Sequence, residues 1–258
     1  MVTKRVEHLW GTAITLDVRD LISPELVDRV YAGFKRVDDL FSTWRSDSEI
    51  SRLASGELDW GSVDPDLRDV VELCDSVSVE SFGAFDIRVG SDPRVEPREG
   101  LGVIDPSGLV KGWALERAAA MLRREGIINF AINAGGDVIT AGQPRDGEGW
   151  RVGIQHPWEL DKLAAVVAVS DLGVATSGRY ERGDHIIDPR TGRPATGLMS
   201  VTVIGPDLAL ADGYATAALV LGAEGPLWLS ERQGIAAMVI DDDRQVIVVN
   251  DFDRHRAQ

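Results

Sequence analysis

Apolar runs of two different periods share this chain without alternating regularly, and that order constrains its fold more than any other feature. Helical spacing marks three long runs. Ser23-Pro24-Glu25 opens one in which Leu26, Val27, Val30, Phe34, Val37, Leu40 and Phe41 share a face. Pro65–Val79 is a second, with Val70, Val71, Leu73, Cys74 and Val77, and Lys111–Glu125 a third, with Trp113, Leu115, Ala118, Ala119 and Leu122. Strand-like runs lie around them. Val6–Val18 reads as a strand or hairpin entry, and Ile127–Ile132 as a buried strand. Further strands are expected at Trp150–Gln155, Leu163–Val169, Met199–Ile204, Ile235–Ile240 and Gln245–Val249, with helices at 207–222 and 224–233 among them. Clusters mixed in this way, without βαβ repetition, predict an α+β fold of layered β-sheets with flanking helices. No repeat, low-complexity tract or linker interrupts the chain. The expectation is therefore one domain over residues 1–258, with two lobes meeting at a ligand cleft.

A chain of 258 residues with 44% hydrophobic content can bury a sizeable core. Its formal net charge of −15 repels nucleic acid and anionic lipid, which are held by clustered Lys and Arg. An anionic small ligand then needs a metal ion or a few well-placed donors. The single cysteine, Cys74, rules out an intrachain disulfide and reads as a small buried apolar residue. Charges at Lys4, Arg5 and Glu7 have no apolar stretch behind them, and no window reaches membrane-spanning length. As it stands the sequence reads as cytoplasmic, without nucleic-acid binding or membrane insertion.

Within the run from Pro206 to Gly222, Asp212 and Thr216 stand four residues apart, so a helix presents their oxygens side by side. Hard cations such as Mg2+ take oxygen ligands and keep positions for water and phosphate. Five further segments read as Gly-, Ser- or Asp-rich turns closing apolar runs: 83–86, 105–112, 135–137, 175–178 and 185–192. Each has an ordinary structural explanation when taken alone.

Taken in order, these segments closely resemble the FAD:protein FMN transferase family, often called ApbE. Gly11-Thr12 follows the first strand, and Phe41-Ser42 and Ser48–Leu53 come next. Then follow Gly83-Ala84-Phe85-Asp86, the Asp105…Lys111-Gly112 box and Gly135-Gly136-Asp137. Thr176-Ser177-Gly178-x-Tyr180, His185-Ile186-Ile187-Asp188-Pro189 and Ala211–Thr216 complete the set, which spans roughly residues 8–222. The resemblance implies an ApbE-like, T-fold-related architecture. It also implies a chemistry: FAD is split between its phosphates, FMN passes to a Ser or Thr hydroxyl of an acceptor protein, and AMP leaves. Positioning and charge neutralisation do most of the work in such a phosphoryl transfer.

Residue by residue, the resemblance assigns the metal to Asp212, Thr216 and the position of Gly108, where only a backbone carbonyl can serve. Lys111, at a helix start that itself favours anions, reads as a phosphate or flavin contact, with a solvated surface lysine as the alternative. Ala84, Phe85, Asp86 and Asp105 match nucleotide-contacting positions; Asp86 equally well caps a turn. Gly135, Gly136 and Asp137, with Thr176, Ser177 and Gly178, allow close backbone approach to the ligand. Ile186 joins the contact set. His185 is the candidate general base, since imidazole takes a hydroxyl proton near neutral pH, with a structural role as the alternative. Asp188 either orients that imidazole or opens the Asp-Pro turn, and the turn is the simpler reading. Trp10 either stacks on the flavin or packs into the core. Trp44 falls where the family carries an aromatic near the isoalloxazine.

Two departures mark this chain. The stretch between Asp86 and Asp105 is shorter than usual, and Ala54 stands where the family carries Asn. The family's acceptor signature, Asp-x-x-Ser/Thr-Gly-Ala-Ser/Thr, is absent, so flavin is expected to go to another protein. Two other activities fit the same residues: an FAD pyrophosphatase using water, and an FAD-binding protein without catalysis.

Overall fold

The computed structural model describes residues 2–88, 104–145, 147–180 and 186–257; the expected loop at 91–100 and His185 lie outside them. The chain opens with a hairpin, β1 (Thr3–Leu9) and β2 (Thr12–Val18). Leu9 pairs with Thr12, leaving a two-residue turn at Trp10 and Gly11 with φ of 55° and 73°. Turns of this hand match the twist of the strands, but the left-handed backbone costs a tryptophan more than a glycine.

Three helices follow: α1 (Pro24–Phe41), α2 (Glu49–Ala54) and α3 (Pro65–Glu80). Each is started by a side-chain oxygen on a first-turn N–H, from Ser23, Ser48 and Asp64 respectively. Proline at the first position of α1 and α3 supplies the fitting φ and lacks an N–H that would go unpaired. Next come α4 (Val110–Arg124), β3 (Phe130–Ala134), β4 (Asp137–Ala141), β5 (Trp150–Gln155) and β6 (Leu163–Val169). The chain continues through β7 (Gly173–Gly178), the two-residue strands β8 (Ile187–Asp188) and β9 (Arg193–Pro194), and β10 (Leu198–Gly205). It finishes with α5 (Leu208–Leu221), α6 (Gly225–Ser230), β11 (Ala236–Asp241) and β12 (Val246–Val249).

One antiparallel sheet collects eight of these strands in the order β1-β2-β3-β4-β7-β10-β11-β12. Its two faces carry separate cores. Ala237 and Val239 of β11 belong to the large core that includes the helices. Their neighbours Ala236, Met238 and Ile240 belong to a smaller core with Val152, Val167 and Val169 of the β5–β6 ribbon. Layers on both sides explain why β4 and β10 are buried along nearly their whole length, whereas β1 alternates. The α+β class with layered sheets and flanking helices is the observed one. No helix among the described residues is long and apolar enough to cross a membrane.

Two expectations are corrected. Thr176-Ser177-Gly178, read as a turn, forms the end of β7, hydrogen-bonded along β10 from Gly173 to Gly178. The strand expected at 127–132 runs from Phe130 to Ala134 instead. The reason is a tertiary contact: the Asp20 carboxylate accepts the N–H groups of Ile128 (2.7 Å) and Asn129 (2.8 Å).

Helix α5 lies at the centre of the large core. Nearly every one of its side chains is buried, as an all-round apolar helix requires, and it packs on β7, β10 and α4. Asp212 is its one charged side chain, and is only 3% exposed.

Candidate active site

A carboxylate inside an apolar helix is costly unless hydrogen-bonded. Asp212 Oδ2 accepts the backbone N–H of Gly112, 3.3 Å away in the first turn of α4. Glycine is required at 112, because a Cβ there would lie 2.5 Å from the Leu208 carbonyl oxygen and 2.8 Å from Ala209 Cα. The starts of α4 and α5 thus meet at backbone contact. That contact brings a buried carboxylate of one helix to the positive end of the other.

Thr216 follows Asp212 by one helical turn, and its Oγ1 is 2.9 Å from Ser177 Oγ on β7. Gly108 abuts both walls: a Cβ there would sit 3.3 Å from Thr216 Oγ1 and 3.1 Å from the Phe85 ring. The three residues expected to hold a metal, Asp212, Thr216 and Gly108, therefore line one cleft of about 610 Å³. Trp10, Trp44, Ala84, Phe85, Asp86, Asp105, Lys111, Thr176, Ser177, Gly178 and Ile186 line it too. The size suits a small-molecule ligand.

Gly135, Gly136 and Asp137 are not on the described wall. The two glycines, with φ of 62° and 102°, turn β3 into β4, and a Cβ at Gly135 would approach Thr12 Oγ1 to 2.9 Å. Asp137, 1% exposed, acts behind the cleft. It pairs with the Lys111 ammonium and accepts the Thr176 N–H at 3.2 Å. It thereby ties the side chain at the start of α4 to the backbone of β7.

Both tryptophans stand on the cleft, in different ways. Trp10 packs edge-on against Phe34 and donates its indole N–H to the Phe34 carbonyl at 3.0 Å. It serves core and cleft together. Trp44 is 86% exposed on a loop tied down by Ser48, whose hydroxyl bonds the Ser42 and Arg45 carbonyls. Asp188 is engaged in its turn. It receives the backbone N–H and the guanidinium of Arg190, which holds its carboxyl below the usual carboxylate range. Asp86 likewise accepts the Arg88 N–H at 2.9 Å, as a turn-capping residue does.

Several lining residues were given no ligand contact from the sequence: Asp38 and Phe41 of α1, Ser42, Ser107 and Val220. Phe41 was visible as a core position and as part of the Phe41-Ser42 element, not as a cleft wall. Gly112 was visible as half of a Lys-Gly pair, but its reason, the contact with Leu208, lies about a hundred residues away in the chain.

The fold and cleft define a class: α+β proteins in which paired helix starts bring oxygen donors, a lysine and aromatic rings to one ligand-sized cavity. The pattern of the ApbE family matches residues 10–95 and 92–239, and the chain belongs to the ApbE family. It is 30% identical over 290 residues to the FAD:protein FMN transferase of Klebsiella pneumoniae, covering 92% of this chain and 82% of the relative. Against that of Escherichia coli (strain K12) it is 30% identical over 272 residues, covering 84% and 77%. Among solved structures, the flavin transferase ApbE from Vibrio cholerae superposes with a TM-score of 0.85 at 25% identity, over 99% of each chain. The ApbE protein of Thermotoga maritima shares the fold with a TM-score of 0.88, over 100% of each chain.

Proposed function

We propose that this protein is a magnesium-dependent FAD:protein FMN transferase: it cleaves FAD, passes FMN to a Ser or Thr hydroxyl of an acceptor protein, and releases AMP. The observation that carries the reading is the meeting of Asp212, Thr216, Gly108 and Lys111 on one aromatic-lined cleft. The similarity to transferases of that name over most of the chain supports it. The same reading treats the chain as one domain, since a single sheet takes strands from residue 3 to residue 249.

The donor set suits a hard cation: one carboxylate, one hydroxyl and one backbone carbonyl, all oxygen. Among the described residues no three His, Cys, Asp or Glu gather into a metal-binding group. Beside the Asp212 carboxylate, a cation here would therefore depend on neutral protein oxygens and on ligand phosphates. Bound, it supplies charge neutralisation for the diphosphate of FAD. Trp10 and Phe85 offer flat aromatic surfaces, and Ile186 an aliphatic one, for a flavin or adenine ring. Lys111, steadied by Asp137, sets a cation beside the phosphates.

In the transfer step the acceptor oxygen attacks the phosphorus of the FMN half. The bond from that phosphorus to the bridging oxygen breaks, and AMP leaves with that oxygen. The hydroxyl proton passes to a base, for which His185 is our candidate; His185→Ala then slows transfer about 10²–10⁴-fold.

The test incubates the protein with FAD, magnesium and a fluorescent acceptor peptide carrying the family's Ser/Thr signature. AMP release matched by flavin on the peptide, and lost in Asp212→Ala, is expected. AMP release with no flavin on the peptide would identify a pyrophosphatase and overturn the transferase reading.

A further inference from the structure

We propose that Glu116, which does not line the described cleft, positions the metal site by locking α5 against α4. The proposal rests on the metal reading above. Its geometry is reciprocal. The Glu116 carboxylate of α4 accepts the Leu208 N–H, the first of α5, at 2.8 Å, while Asp212 of α5 accepts the Gly112 N–H near the start of α4 at 3.3 Å. Gly112 and Glu116 are four residues apart on one helix, and Leu208 and Asp212 four apart on the other, so each pair shares a face. The four residues close a ring: two helical turns joined by two hydrogen bonds.

Each helix start is thus held by a carboxylate from the other. Both bonds are charge-assisted, and both carboxylates sit at positive helix ends. They are not equal. The Glu116 bond has ordinary strong geometry, whereas the Asp212 bond is long. The shorter bond sets the register of α5, and the longer one follows it. Asp207 caps α5 independently through the Leu210 N–H at 3.0 Å, so losing Glu116 leaves the helix intact and frees only its placement. Asp212 and Thr216 lie one and two turns from Leu208 on the same face. A shift of the helix start therefore reaches both ligands.

The experiment compares Glu116→Ala, Glu116→Gln and Asp212→Ala with the unaltered protein. With FAD present, the magnesium concentration for half-maximal AMP release should rise about 10–100-fold in Glu116→Ala, while the rate at saturating magnesium stays near normal. Glu116→Gln keeps an acceptor oxygen and should restore most of the magnesium response. In metal-free protein, amide exchange should accelerate at both Leu208 and Gly112 in the Ala variant and return in the Gln variant. Faster exchange at Leu208 alone, with Gly112 and the magnesium response unmoved, would overturn the proposal. Should Glu116→Ala not fold, Glu116→Asp, which withdraws the carboxylate by one methylene, is read in the same way. A magnesium response that survives in Asp212→Ala would instead remove the underlying metal reading, leaving the paired exchange rates to decide on the ring.

Discussion

Adding one methyl group at Gly112 should both destabilise the protein and weaken its response to magnesium. The new Cβ would lie 2.5 Å from the Leu208 oxygen and 2.8 Å from Ala209 Cα, short of an ordinary 3.4 Å contact by up to about 0.9 Å. Both are backbone atoms of α5, so no side chain can rotate out of the way. Overpacking of this kind costs ~1–3 kcal/mol, and contact with two backbone atoms belongs at the upper end. Alanine regains about 1 kcal/mol of helix propensity. The balance is a loss of about 2 kcal/mol, or a melting temperature lower by roughly 4–8 °C for a chain of this size. The same displacement stretches the 3.3 Å bond from Gly112 to Asp212 beyond hydrogen-bonding range. Gly33→Ala is the matched control. It lies inside α1 with nothing within 4 Å of the added carbon, and should gain roughly 0.5–1 kcal/mol. Thermal melts of the three proteins, followed by magnesium titration of AMP release, measure both effects. If Gly112→Ala melted at or above the unaltered protein with an unchanged magnesium response, the helix-contact argument would be wrong.

Asp137→Ala should cost about 2–3 kcal/mol in urea unfolding, because the Thr176 N–H loses its buried acceptor while Lys111, partly exposed, relaxes toward water. A loss below roughly 0.5 kcal/mol, the range of an ordinary surface change, would contradict that. Arg190 depresses the Asp188 carboxyl. The turn's stabilisation is then complete above the unfolded value of about 3.9 and fades as pH falls through the lower folded value. A carboxyl chemical-shift titration should find a midpoint below ~3.9, and a midpoint at or above it would refute the pairing. Burial pushes the Cys74 thiol well above its ordinary range, so an aromatic disulfide reagent should label the protein only on unfolding. Rapid labelling of the native state would show that the helix packing around it opens.

The long helices were legible because their signals are local. Ser23-Pro24 and Asp64-Pro65 announce α1 and α3, and the apolar spacing that follows each is confined to one segment. Strand β7 was hidden for the opposite reason. Gly173-Val-Ala-Thr-Ser-Gly178 has the composition of a turn, and becomes a strand through pairing with β10, more than twenty residues later. Phe130–Ala134 was displaced from its expected position by Asp20, over a hundred residues earlier.

The cleft divides along the same line. The amino-acid order alone determined that Asp212 and Thr216 share a helix face, since that spacing follows from 3.6 residues per turn wherever the helix lies. It also determined that an acidic chain must meet an anionic ligand through a few chosen groups. Only the tertiary structure decided which groups those are. Gly112 and Asp212 are a hundred residues apart, and Lys111 and Asp137 twenty-six; packing makes partners of them. A buried carboxylate must find a donor, and in a packed core the nearest one is chosen by which helices cross, a property that no short stretch of sequence contains.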